Sequence, residues 1–133
     1  MDTQTKPEAK TEADQMTGAE IVITALKEQG VEVMFGYPGG AVLPIYDSLF
    51  SEPSIRHVLV RHEQGAGHAA EGYARSTGKP GVAYVITGPG VCNIMTPMGQ
   101  AYSDSVPLLV ISSCLDEVAA TRGQLHQMKD QRA

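Results

Sequence analysis

Residues 60–75 read VRHEQGAGHAAEGYAR, and the rest of the chain is organised around this stretch. It closes an apolar run, passes through a charged triplet and continues into a segment crowded with glycine and alanine. Small residues let another backbone or a flat ligand approach closely. Glu63 stands out, because a carboxylate is rarely buried unless it is paired or used. The stretch alone leaves two interpretations open: a surface glutamate at a helix N-terminus, which is the commoner case, or a functional acid.

Helix and strand patterns alternate on both sides of this stretch. Thr17 and Glu20 match a capping box, which predicts a helix start, and Gly30 predicts the end of the same helix. The elements predicted after it are a strand at 31–35, a helix at 41–50, a strand at 55–60, a helix at 63–77, a strand at 82–87, a helix at 91–104 and a strand at 106–113. The run at 55–60 is nearly continuously apolar after Arg56 and His57, which predicts a strand that is covered on both faces.

The alternation predicts an α/β fold, with a doubly wound, mostly parallel sheet and helices on both faces. Right-handed crossovers place the loops that follow the strands at one edge of the sheet. The pattern fades after residue 113, so the sheet is predicted to be incomplete at its C-terminus. Residues 1–15 lack an apolar anchor and are predicted to form a disordered tail, which leaves 16–133 as the domain.

Composition limits the classes of function. Hydrophobic residues make up 42% of the 133-residue chain, which is enough for the core of one domain. The net charge of −5 and the lack of a basic patch argue against a nucleic-acid partner. No apolar run reaches membrane-spanning length and no signal peptide is visible, so we expect a cytoplasmic protein. Cys92 and Cys114 lack metal-site spacing and are expected to be buried free thiols; no metal ligand is predicted.

Three unusual segments follow strands and should meet at one edge of the sheet, where open parallel sheets bind ligands. They are GYPGG at 36–40, Glu63 with its glycines, and TGPGVCN at 87–93. None is a Walker loop or a complete Gly-x-Gly-x-x-Gly fingerprint, and Pro89 removes an amide that could bind phosphate. Each cluster alone is most simply a turn, but together they favour a site for a flat, mostly uncharged group.

These segments resemble the pyrimidine-binding domain of thiamine-diphosphate enzymes, most closely the large subunit of acetohydroxyacid (acetolactate) synthase. The resemblance is carried by FGYPGGAVLPIYD at 35–47, RHEQGA at 61–66, and GPG at 88–90 with Asn93, and it covers about 16–113. It implies that Glu63 is catalytic: its carboxyl group hydrogen-bonds N1′ of the cofactor's aminopyrimidine and shares a proton that activates the thiazolium C2 carbon. It also implies further cofactor-binding residues, namely Tyr37, Pro38 and Gly39 beside the ring and the reactive carbon, and Thr87, Pro89 and Asn93 around the pyrimidine pocket.

The resemblance further implies a thiamine-diphosphate enzyme that decarboxylates a small 2-keto acid and transfers the remaining acyl group. Mg²⁺ and the diphosphate would be bound by another domain, supplied by a homo-oligomer or by a separate chain. FAD is possible in the full-length family, although its main site lies in a central domain that this sequence lacks. The small residues at 65–70 would pack against the partner subunit.

The sequence departs from the family pattern in two places. The central and diphosphate-binding domains are missing, so the chain is a fragment, half of a split enzyme, or a truncated paralogue that only dimerises. Residues 121–130 read TRGQLHQMKD, where the synthases carry a Gly-Thr-Asp-Ala-Phe-Gln-type segment. His126 is therefore either a substrate-side acid/base or an incidental surface histidine. Together with residues 99–113, this segment also resembles decarboxylases of guanidino-type 2-keto acids. A nucleotide-binding domain is a third reading, disfavoured by the missing phosphate fingerprint.

Overall fold

The computed structural model describes residues 15–114 and 125–128. The elements are α1 (Gly18–Glu28), β1 (Val33–Gly36), a 3-10 turn (Gly40–Val42), α2 (Leu43–Phe50), β2 (Arg56–Leu59), α3 (Glu63–Thr77), β3 (Gly81–Val85), α4 (Pro89–Ser103) and β4 (Leu108–Ser112). The strands form one sheet in the order β2-β1-β3-β4, and every neighbouring pair is parallel. The predicted α/β fold with a parallel sheet is confirmed.

Two apolar cores lie on opposite faces of the sheet, because successive side chains of β3 point to opposite sides. Val82 and Tyr84 face one core, in which α1 and α2 bury Leu26 and Leu49. The other core contains Ala83 and Val85 with small side chains of α3 and Ile94 of α4. β3 is buried along its whole length, as expected of a central strand in a parallel sheet.

The helix boundaries follow the local sequence signals. Thr17 caps α1: its hydroxyl accepts a 3.2 Å hydrogen bond from the Glu20 amide, and its own amide donates 2.6 Å to the Glu20 carboxylate. Gly30 has a φ of 75°, so the predicted left-handed end of α1 is confirmed. Gly78 ends α3 in the same way, with a φ of 71°. The predicted strands and helices are therefore present, displaced by one or two residues at several ends.

Some expectations are corrected or lie outside the described residues. The strand predicted at 55–60 is not covered on both faces: β2 is an edge strand, and Leu59 is 63% exposed. Cys92 and Cys114 are exposed, not buried. The tail expected at 1–15 falls outside the described residues except for Gln15.

The small residues of α3 were expected to face a partner subunit, and this is wrong for the buried ones. Ala66 and Ala70 are fully buried in the core beneath α4. Gly67 faces Pro97 of α4 so closely that a Cβ at that position would lie 2.8 Å from the proline Cβ. Gly65 and His68 are exposed, and for them a partner contact stays a proposal.

Candidate cofactor-binding site

The sheet has one topological switch point, between β1 and β3. The chain leaves β1 for β2 on one side and returns to build β3 and β4 on the other. Ligands of open α/β sheets bind in the crevice that this reversal opens outside the carboxyl ends of the strands. The loop at 37–39 follows β1 and the turn at 86–88 follows β3, so two of the three predicted segments meet at this crevice. The third, Glu63, follows β2 one strand away.

Ile86 is enclosed by two glycines where these loops meet. A Cβ on Gly39 would clash with the Ile86 side chain, and a Cβ on Gly90 would lie 2.9 Å from Ile86 Cγ1. The two loops therefore close on a single apolar side chain, and only glycine permits that approach. Sequence reasoning named Gly39 but missed Ile86, whose only signal is its place as the last apolar residue before the 87–90 turn.

Glu63 is the first residue of α3 and is only 7% exposed, so the surface interpretation is wrong. The preceding His62 caps the helix, because its Nδ1 atom accepts a 3.2 Å hydrogen bond from the Gln64 amide. This cap and the positive end of the helix dipole favour a carboxylate at the helix start.

The two oxygens of Glu63 have different surroundings. Oε2 accepts a 2.9 Å hydrogen bond from Nδ2 of Asn93 on α4. Oε1 lies 3.5 Å from the position that a Cβ would take on Gly90. Within the described part of the chain, Oε1 accepts no hydrogen bond, either from Asn93 or from another residue. One oxygen is thus held by Asn93, while the other lies beside Gly90 and has no hydrogen-bond donor among the described residues.

The remaining predicted residues are spread around the crevice. Tyr37 and Pro38 are exposed in the loop that carries Gly39. Thr87 is buried, and its amide donates a 3.0 Å hydrogen bond to the Ser113 hydroxyl, which ties the ends of β3 and β4 together. Pro89 is exposed at the first position of α4. The structure brings Glu63 and Asn93 into direct contact, whereas it leaves Tyr37 and Pro38 on the open side.

A polar cluster supports the loop after β1 from below. The Tyr84 hydroxyl donates a 2.7 Å hydrogen bond to the carbonyl of Val42, and Tyr46 Oη lies 3.1 Å from His57 Nε2. Burial raises the pKa of Tyr46 to about 12 and lowers the pKa of His57. A Cβ on Gly36 would lie 2.9 Å from Tyr46 Oη, so this glycine lets the cluster sit directly under the strand end.

The segment at 125–128 returns to the same edge of the sheet. Gly88 has a φ of 64°, and a Cβ there would lie 3.0 Å from the Cβ of His126 and clash with its carbonyl oxygen. His126 also has a positive φ, of 63°, and is exposed. The backbone of His126 therefore lies against the turn that leads into α4.

These groups fit the ring of a flat cofactor. A buried acid with one oxygen that accepts from none of the described residues, beside an apolar wall made by Ile86, matches a ring with one polar nitrogen. Pro89 withdraws an amide from the start of α4, which makes that helix end a poor phosphate cradle. Among the described residues there is no His, Cys, Asp and Glu cluster that could hold a metal, and no helix long and apolar enough to span a membrane.

A parallel α/β domain with a buried acid beside its switch-point crevice is typical of a domain that binds a ring cofactor. The chain belongs to the thiamine pyrophosphate enzymes: residues 16–133 match the family described as the thiamine pyrophosphate enzyme, N-terminal TPP binding domain. The resemblance inferred from the motifs is confirmed.

Three curated relatives illustrate this membership. The chain is 58% identical to the acetolactate synthase of Mycobacterium bovis over 98 residues, a stretch that makes up 74% of this chain and 16% of the relative. It is 54% identical over 99 residues to the acetolactate synthase large subunit of Corynebacterium glutamicum, again 74% of this chain and 16% of the relative. It is 52% identical to the probable 2-ketoarginine decarboxylase AruI of Pseudomonas aeruginosa over 120 residues, a stretch that makes up 89% of this chain and 21% of the relative. The chain thus spans about a sixth to a fifth of the length of these proteins.

Proposed function

We propose that this chain supplies the aminopyrimidine-binding half of a thiamine-diphosphate site in an acetolactate synthase-like enzyme. The enzyme would decarboxylate a small 2-keto acid and transfer the remaining acyl group to an acceptor. The observation that carries the proposal is the buried carboxyl group of Glu63, with Oε2 bound by Asn93 and with Oε1 beside Gly90, where none of the described residues donates a hydrogen bond to it. An acid in this position can share a proton with a ring nitrogen.

Each residue at the crevice has a proposed task. Glu63 holds the proton at Oε1 and shares it with N1′ of the ring. Ile86 forms the apolar wall that excludes water, while Tyr37, Pro38 and Gly39 border the ring on the open side. Thr87 and Pro89 line the pocket at the start of α4. When bound, thiamine diphosphate supplies the carbon nucleophile and the electron sink that decarboxylation of a 2-keto acid requires.

The diphosphate, its Mg²⁺ and the flavin of synthases would be bound by domains outside this chain. The start of α4, which lacks an amide at Pro89, supports this division of tasks for the diphosphate. A second copy or a longer chain would then cover the site. Exposed apolar side chains on α4, namely Met95, Met98 and Tyr102, support such an interface.

A second candidate is the decarboxylation of a guanidino-type 2-keto acid without acyl transfer. Similarity to the probable 2-ketoarginine decarboxylase covers 89% of this chain, against 74% for the synthases. His126 lies beside the Gly88 turn, near enough to the crevice to border a substrate. In this reading the C-terminal segment selects the keto acid.

The test of the proposed function uses the complete enzyme that contains this chain, loaded with thiamine diphosphate and Mg²⁺. Glu63→Gln keeps the shape of the side chain but cannot pass a proton, so CO₂ release is expected to fall at least about 100-fold. Glu28→Gln, on the exposed end of α1, is the matched control and should keep full activity. Full activity of Glu63→Gln would refute the role of Glu63. Comparing pyruvate with a guanidino 2-keto acid as the substrate separates the two candidates.

A further inference from the structure

Asn93 and Glu63 form one of two matched contacts between α3 and α4. Glu63 and Gly67 are four residues apart and lie on the same face of α3, and Asn93 and Pro97 have the same spacing on α4. The two pairs face each other along the helices. Asn93 Nδ2 donates a 2.9 Å hydrogen bond to Glu63 Oε2. One helical turn further along, Gly67 packs against Pro97. The close approach at Gly67 thus sets the helix separation at which the Asn93 amide reaches the carboxyl group.

The chemistry of the two side chains limits which oxygen can carry a proton. The amide nitrogen of asparagine only donates, so an Oε2 atom that accepts from Asn93 does not itself donate to it. The carbonyl-type oxygen of a carboxylic acid is the better acceptor, so the bond from Asn93 to Oε2 favours a proton on Oε1, the oxygen beside Gly90. The carbonyl end of the Asn93 amide would repel an ionised Glu63, which favours the observed orientation.

We propose that Asn93 is a positioning residue for Glu63: by holding Oε2 it directs Oε1, with its proton, toward the ring nitrogen of the cofactor. This inference rests on the proposed function and refines it. The family resemblance places Asn93 among the residues that line the pyrimidine pocket, whereas here its amide acts through the acid. The expected result of its loss is a Glu63 that binds the cofactor but presents its proton in more than one orientation.

The test measures exchange of the C2 hydrogen of bound thiamine diphosphate for deuterium, by acid quench and proton NMR, in the complete enzyme without substrate. Asn93→Ala is expected to slow this exchange about tenfold, the kinetic equivalent of the net loss of one hydrogen bond. The affinity for thiamine diphosphate should stay close to the parent's, because Asn93 does not hold the cofactor itself. A purely structural role would weaken affinity and exchange together, and that result would overturn the proposal.

A cofactor analogue with carbon in place of N1′ tests whether the effect passes through the ring nitrogen. With this analogue the parent and Asn93→Ala should exchange at the same rate, and a remaining difference would contradict the proposal. Gln100→Ala removes an exposed amide from the same helix and should match the parent throughout. Should Asn93→Ala fold poorly by its melting temperature, the near-isosteric Asn93→Asp takes its place, with slower exchange again expected.

Glu63→Gln separates the failure of this inference from the failure of the proposed function. If Glu63→Gln slows exchange and Asn93→Ala does not, the positioning role is overturned while the proposed function stands. If Glu63→Gln leaves exchange unchanged, the proposed function fails, and the inference fails with it.

Discussion

The hydroxyl group of Tyr84 on β3 donates a buried 2.7 Å hydrogen bond to the carbonyl of Val42, which lies 42 residues earlier in the chain. Val42 ends the 3-10 turn that follows the 36–40 loop, so this bond ties the central strand to the rim of the site. Both residues are fully buried. The position of the loop is therefore set from the core of the domain and not by the loop itself.

Tyr84→Phe is expected to lower the free energy of unfolding by about 0.5–1.5 kcal/mol, because a buried hydrogen bond is lost while the Val42 carbonyl, at the N-cap of α2, keeps its helical bond. Urea unfolding followed by circular dichroism measures the change. Amide hydrogen exchange of residues 36–42 should also become faster. Tyr102→Phe alters an exposed tyrosine and should leave both quantities unchanged. Equal effects of the two variants would show that the bond to Val42 does not stabilise the domain.

Gly67→Ala and Gly72→Ala, both within α3, are expected to have opposite effects. At Gly67 the added Cβ would meet Pro97, so the helices must separate, at a cost of about 1–3 kcal/mol. At Gly72 nothing lies within 4 Å of the added Cβ, and the higher helix propensity of alanine should stabilise the chain by up to about 1 kcal/mol. Thermal and urea unfolding of both variants show directly whether each substitution raises or lowers the free energy of unfolding. If both substitutions changed the free energy of unfolding in the same direction, the Gly67–Pro97 contact would not set the helix packing.

Loss of Arg75 is expected to lower the melting temperature, because Glu71 is a buried carboxylate whose side chain is 3% exposed. Arg75 Nη2 donates 2.6 Å to Glu71 and also pairs with Asp104 at the end of α4. Arg75→Met leaves the buried charge without its main partner. Adding Glu71→Gln should recover part of the loss, so the two changes should be less than additive. Asp104→Asn, which alters an exposed carboxylate, should have the smaller effect.

His57 should make the domain less stable in mild acid. Burial lowers the pKa of His57 in the folded state below its ordinary value near 6.5, so the unfolded chain binds the proton first. The contribution of neutral His57 to stability is complete at pH values above about 6.5. It is lost as the pH falls from there toward the pKa of His57 in the folded state. Urea unfolding between pH 7.5 and about 5.5 should show this decline in the parent and a shallower one in His57→Gln. An equally steep decline in both proteins would assign the effect to other groups.

Much of the architecture follows from local signals. The Thr17–Glu20 capping box, Gly30 and Gly78 mark helix ends at the residues where the structure has them, because caps depend on neighbours within one turn. The alternation of helices and strands was also sufficient to predict a parallel sheet. Because the carboxyl ends of parallel strands lie at one edge of the sheet, the sequence also predicted that Glu63, the 36–40 loop and the 87–93 segment lie on the same side of the molecule.

The exposed face of β2 and the burial of Glu63 could not be read from these signals. The sequence at 55–60 is apolar apart from Arg56 and His57 and was compatible with a central strand, yet β2 lies at the edge, since strand order depends on pairing between distant segments. The glycines around Glu63 were compatible with a surface helix as well as a buried one. Only the packing of α4 over α3 decides between them.

Periodicity and short-range backbone chemistry were enough to fix the element types, their order and most of the residues at the carboxyl edge of the sheet. Tertiary structure alone decided that Asn93 donates to Glu63 across 30 residues and that Ile86 fits between Gly39 and Gly90. Both contacts depend on the distance between packed elements. That distance is set by Gly67 against Pro97 and by the loops closing over Ile86, which no local pattern encodes.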